Sequence, residues 1–154
     1  MKKIVCFSLA VVMAATMATT ALAADLTTVT DKTAEELSVF MHKETRHLAE
    51  DAIRICAKEG VSAEFIAAIM RYERRPDLHN YFGWTGSDGK LIRYENDVQC
   101  LETVIPIIKK NYLDPEGKYY NGATVEGVSV YYNNSDFWRD TMNREIDRMF
   151  QEER

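Results

Sequence analysis

Between Ser62 and Glu73 the chain reads S-A-E-F-I-A-A-I-M-R-Y-E, and this segment constrains the fold more than any other. Phe65, Ile66, Ile69 and Met70 recur at the three-and-four spacing of a helix that buries one side. One more turn of that stripe falls on Glu73. A carboxylate there is expected to be partly buried and to stand at the helix C-terminus, where the peptide dipoles disfavour negative charge. Both influences favour the protonated acid and predict a raised pKa. A carboxyl group of that kind beside a sugar-sized cleft is how a general acid for glycosidic cleavage is built. The structural alternative is a surface ion pair, since Arg71, Arg74 and Arg75 stand close in sequence.

Beyond Glu73 comes Asn80-Tyr81-Phe82-Gly83-Trp84-Thr85-Gly86. Aromatics among glycines are unusual in a solvent-facing loop. Aromatic faces stack on pyranose rings, and glycines admit close backbone approach to a ligand. A small core beneath the loop is the bland alternative. The order apolar helix, Glu73, short loop, N-Y-F-G-W resembles the glucosaminidase branch of the lysozyme-like peptidoglycan hydrolases, glycoside hydrolase family 73. In that family an acid glutamate ends a helix just ahead of an Asn-aromatic-Phe-Gly element.

The remaining chain follows the same order. Ser87-Asp88-Gly89-Lys90 reads as a turn between short extended pieces. Asn96 and Gln99 form a capping-box pattern at the start of a helix that carries Leu101, Val104, Ile105 and Ile108, with a kink expected at Pro106. Val130-Tyr131-Tyr132-Asn133-Asn134-Ser135-Asp136-Phe137-Trp138 resembles the family's closing segment, which implies Tyr132 as the functional tyrosine and Trp138 as a core anchor. The resemblance spans Val61 to Phe150. One departure stands out: Arg74-Arg75-Pro76-Asp77-Leu78-His79 replaces the small residues that usually follow the acid, a bulky loop capable of narrowing the cleft. The family can supply a second carboxylate from the lobe; Asp88 and Glu95 are the candidates here, with Asp97 beyond them.

The ends of the chain give context. Met1-Lys2-Lys3, an apolar run from Ile4 to Met17 and Ala21-Leu22-Ala23 read as a secretory signal peptide over residues 1–23. The apolar run is shorter than the ~20 residues a spanning helix needs, so no stable membrane anchor is expected after cleavage. Residues 24–33 read as a flexible leader and 34–154 as one domain. The net charge of −5 becomes more negative when Lys2 and Lys3 leave, which argues against nucleic acid as a partner. Cys56 and Cys100 are then an even pair in an exported chain, so a disulfide between two helices is expected, with buried free thiols as the alternative. His42 and His47 are five apart, whereas two metal ligands on one helix face need four; no metal site is expected. A first helix is predicted from Ala34 to Glu59, closed by Gly60. Asn133-Asn134-Ser135 reads as the cap of a final helix.

The fold expected is mainly α, lysozyme-like α+β, with a small irregular or β lobe beside a substrate cleft. The resemblance implies a secreted, cell-envelope hydrolase that cleaves the β-1,4 bond between N-acetylglucosamine and N-acetylmuramic acid. Glu73 would protonate the leaving oxygen, and Tyr132 would orient the sugar or stabilise developing charge. Asn80, Tyr81, Phe82 and Trp84 would bind substrate. No cofactor is implied, and a monomer acting on peptidoglycan glycan strands is expected. Two readings from other classes stand beside it. One is a catalytically impaired module that binds glycan or a protein partner; the other is a helical adaptor whose aromatic loop is a protein contact.

Overall fold

The expected apolar helix is α3, Ala63–Glu73, in a computed structural model that describes residues 24–151. The expected signal peptide lies outside the described residues. Ser62 starts α3 by accepting the Phe65 N–H on its Oγ at 3.1 Å, which satisfies one of the first-turn donors. Every residue from Ala63 to Met70 is buried, so α3 is covered on all sides rather than along one stripe. Glu64 belongs to that buried set. Its carboxylate accepts from the Ser62 hydroxyl at 2.9 Å and from the Thr30 hydroxyl, the pairing a buried carboxylate requires.

Around α3 pack α1 (Ala34–Phe40), α2 (Ala49–Glu59) and, near the chain end, α6 (Asp136–Gln151). The predicted single helix over 34–59 is corrected to two. The chain leaves α1 at Met41, passes a short 3₁₀ turn at Arg46–Leu48, and enters α2. A continuous helix would carry Glu44 on the same stripe as Leu37, Met41 and Leu48. The break turns Glu44 outward, where it meets Arg74 Nε at 3.2 Å, while Met41 and Thr45 stay buried. Arg71 closes the end of α1 by donating to the Phe40 carbonyl at 2.8 Å. Gly60, left-handed at φ 66°, ends α2 as predicted.

Residues 24–33 are docked, which corrects the flexible leader. Leu26 is buried; its N–H donates to Ala123 O at 2.9 Å and its carbonyl accepts from Ser62 N at 2.8 Å. One apolar side chain and two backbone bonds thus tie the segment to Ser62 at the start of α3 and to Ala123.

Helix α4, Asp97–Ile108, begins at Asn96, whose side chain accepts from Gln99 N at 2.9 Å. Gln99 answers on the Glu95 N–H rather than on that of Asn96. The helical path continues past Pro106 and widens into a π turn, Lys109–Leu113, which buries Tyr112 and Leu113. Helix α5, Val125–Tyr132, has no counterpart in the sequence reading. Thr124 caps it, and Gly127 lets its first turn press on the preceding loop: a Cβ there would stand 2.2 Å from Gly122 O. Ser135 caps α6 by accepting from Trp138 N at 3.1 Å, as expected. Trp138, Met142, Ile146 and Met149 enter the core, whereas Phe137 is exposed.

The molecule is mainly helical. Among the described residues, extended pairing is confined to isolated bridges at Arg75–Asn80 and Thr85–Leu91. The buried apolar side chains form one cluster centred on α3. The last turn of α3, the aromatic loop, the π turn, the end of α5 and the start of α6 meet at its edge.

Candidate functional site

At that edge lies a pocket of 380 Å³, within the range of small-ligand sites. Glu73, Phe82, Gly83, Trp84, Thr85, Tyr112, Tyr119, Tyr132 and Asn133 line it. Glu73 reaches it because α3 ends there, half-buried, on its last helical residue. The ion-pair alternative for Glu73 is not what the neighbouring arginines do. Arg71 Nε approaches Glu145 at 3.5 Å, and Arg74 turns to Glu44. Glu73 Oε1 instead accepts from Trp138 Nε1 at 3.2 Å. Its Oε2 faces Gly83, where a Cβ would stand at 3.0 Å. Gly83 is also left-handed, at φ 62°.

Tyr132 is the centre of the aromatic lining. Its ring centroid lies 5.5 Å from that of Trp138, 5.7 Å from Tyr112 in an edge arrangement, and 6.1 Å from Trp84. The Tyr132 hydroxyl donates to Phe82 O at 2.9 Å, which ties the end of α5 to the aromatic loop. Burial, and then the nearby Glu73 carboxylate, push the Tyr132 phenol well above its ordinary range. It therefore stays a neutral phenol, able to hydrogen-bond but not to act as a phenolate nucleophile. Tyr112 is pushed up by burial as well. From Tyr112 the ring contacts continue through Tyr119, at 5.2 Å, to the exposed Tyr131, at 5.7 Å.

The expected binding residues divide. Trp84 lines the pocket, and Phe82 contributes to its wall although its side chain is nearly all buried. Asn80 and Tyr81 do not line it. Asn80 is fully buried, and its amide knots the loop: Nδ2 donates to Trp84 O and Ile92 O, each at 2.8 Å, and Oδ1 accepts from Trp84 N at 3.0 Å. Tyr81 is buried against α4, its hydroxyl bonded to Asp97. These residues hold the loop's shape rather than present groups to a ligand.

The bulky loop after Glu73 folds away from the cleft. Arg75 and Asn80 exchange backbone bonds at 2.6 and 3.1 Å, closing residues 76–79 into a tight excursion. None of residues 74–79 lines the pocket. His79 ends that excursion in a left-handed conformation and, with His47, grips Asp97. Burial works against charge on Asp97, but hydrogen bonds from His47, His79 and Tyr81 outweigh it and hold the carboxyl below its ordinary value.

Neither candidate second carboxylate reaches the pocket. Asp88 is exposed and accepts from Lys90 N at 3.0 Å within its own turn, and Glu95 is exposed before α4. The expected disulfide is corrected too: Cys56 and Cys100 are both buried and free. Cys56 on α2 lies near Glu64, while Cys100 on α4 takes a backbone hydrogen bond from Tyr81, so each thiol has its own packing environment.

Nothing in the sequence marks Tyr112, Tyr119 or Asn133 as site residues, or Trp138 as a partner of Glu73. Tyr112 follows Ile108 by four and reads as another core position; nothing local separates a pocket wall from a core wall. Compared with protein-family models and with curated proteins, the chain matches none.

Proposed function

We propose that this chain is a secreted peptidoglycan hydrolase with a lysozyme-like arrangement, in which the loop from Asn80 to Tyr94 forms a small lobe beside the cleft. The single observation that supports this best is Glu73. It is half-buried at the end of a helix whose residues Ala63 to Met70 are all buried, and it shares a 380 Å³ pocket with Trp84 and Tyr132. Glycosidic cleavage needs a carboxylic acid held against the leaving oxygen and aromatic faces to seat the sugar.

In this reading Glu73 donates its proton to the bridging oxygen as the bond from the anomeric carbon breaks. Tyr132 stands at the reacting sugar as a neutral hydroxyl, and Trp84 is the platform. Glu73 is the one carboxylate among the described residues that line the pocket. This favours participation of the sugar's own 2-acetamido group over a second carboxylate, and so an N-acetylated hexosamine on the non-reducing side of the cleaved bond. The bond assigned is β-1,4 between N-acetylglucosamine and N-acetylmuramic acid. Acid catalysis of this kind needs no cofactor. That the loop after Glu73 lines none of the pocket favours this reading over that of an impaired module.

The test is loss of turbidity of purified cell walls with the mature chain, followed by mass analysis of the new reducing ends. Reducing-end glucosamine is expected. Glu73→Gln should lower cleavage by roughly 10²–10⁴-fold, the usual contribution of a general acid, with the fold kept by circular dichroism. Equal cleavage by wild type and Glu73→Gln would remove Glu73 from the chemistry. Reducing-end muramic acid would reassign the bond.

A further inference from the structure

The two oxygens of a carboxyl group are equivalent in solution, but those of Glu73 are not. Oε1 accepts from the Trp138 indole N–H at 3.2 Å, whereas Oε2 is turned to Gly83, whose missing side chain leaves it room. In a protonated carboxyl one oxygen carries the hydrogen and the other is the better acceptor. An N–H fixed on one oxygen therefore decides which is which.

The indole is well placed to impose that choice. Trp138 is 4% exposed, so its N–H has little access to water as a substitute partner. Ser135 Oγ holds its backbone N–H at 3.1 Å in the first turn of α6. The Tyr132 ring packs on it with planes 32° apart, and Tyr132 is itself tied to Phe82 O. Rotating the indole away would break this packing and leave a buried donor unsatisfied.

We infer that Trp138 is a positioning residue: its indole N–H fixes Oε1 of Glu73 as an acceptor, so that the transferable proton is carried on Oε2, at the Gly83 side of the pocket. The use made of that proton rests on the function proposed above; the contact that selects its oxygen does not.

The experiment separates the two. The chain has two tryptophans, so a nitrogen–proton correlation spectrum of the mature protein shows two indole signals, and Trp84→Phe tells them apart. Glu73→Ala should shift the Trp138 indole proton upfield, with the backbone amide pattern otherwise retained, and Glu73→Gln should shift it less, because an amide oxygen still accepts. A Trp138 signal unmoved by Glu73→Ala overturns the inference. In wall hydrolysis, Trp138→Phe keeps an aromatic ring but removes the donor, and should lower kcat about tenfold while KM stays within about twofold. A kcat equal to wild type in that variant also overturns it. Should Trp138→Phe not fold, the indole shift in Glu73→Ala decides alone. Absence of cleavage by the wild-type chain would sink the proposed function, and the indole shift would still decide whether Trp138 holds the Glu73 carboxyl.

Discussion

Gly83 carries two separate demands at a single residue. Its backbone is left-handed, and a Cβ on it would press on Glu73 Oε2 at 3.0 Å. Gly60 makes the first demand without the second: it is left-handed at φ 66° with nothing within 4 Å of a would-be Cβ. Alanine at either position should cost about 1–2 kcal/mol for the left-handed backbone, read by chemical denaturation. Only Gly83→Ala should also depress the proposed wall hydrolysis, so equal activity in the two variants would argue against Oε2 as the working oxygen. The cysteines give a second residue-scale prediction. Burial pushes both thiols up, Cys100 to about 12, so the reactive thiolate is scarce at pH 8. The folded chain without residues 1–23 should resist a thiol-reactive disulfide reagent, both cysteines should react in denaturant, and reduction should leave the mass unchanged.

At the scale of an element, α3 bears the most consequence, because its last residue is the candidate acid and its other residues are almost all core. Its start rests on Ser62, which accepts from Phe65 N and donates to the buried Glu64 carboxylate. Loss of an N-cap typically costs about 0.5–2 kcal/mol. Ser62→Ala should fall at the upper end of that range, since it also strips a partner from a buried charge; urea denaturation measures it. Circular dichroism of the variant should keep its helical signal. The loop that follows α3 shows why residue type alone misleads. Arg74 to His79 is bulky and charged, but a two-bond backbone clamp at its base turns it outward.

Across the whole molecule, the His47–Asp97–His79 cluster joins parts of the chain distant in sequence: the turn before α2, the excursion after α3 and the first residue of α4. Tyr81 adds the aromatic loop. Because the folded protein holds the Asp97 carboxyl below its ordinary value, the native state binds fewer protons there than the unfolded chain. The resulting stability is present above about pH 4 and is lost as pH falls through the lower folded value. The Tm of Asp97→Asn should therefore lie furthest below that of wild type near neutral pH. The gap should close on acidification below about pH 4, and a gap independent of pH would show that the carboxylate charge is not what the cluster uses.

Local order was legible in the chain. The 3.6-residue period of Phe65, Ile66, Ile69 and Met70, the caps at Asn96 and Ser135, and the stop at Gly60 are all short-range physics, and each stands in the structure. They suffice to put Glu73 at the end of an apolar helix. They do not say what covers the other side of that helix, or which aromatics face out. Asn80 and Tyr81 read like ligand contacts yet serve the loop's own bonding, and Trp138 reads like a core anchor yet meets Glu73 from 65 residues away. Periodicity fixes which face of an element is apolar; the partner of that face depends on contacts between distant segments, which only the packed chain decides.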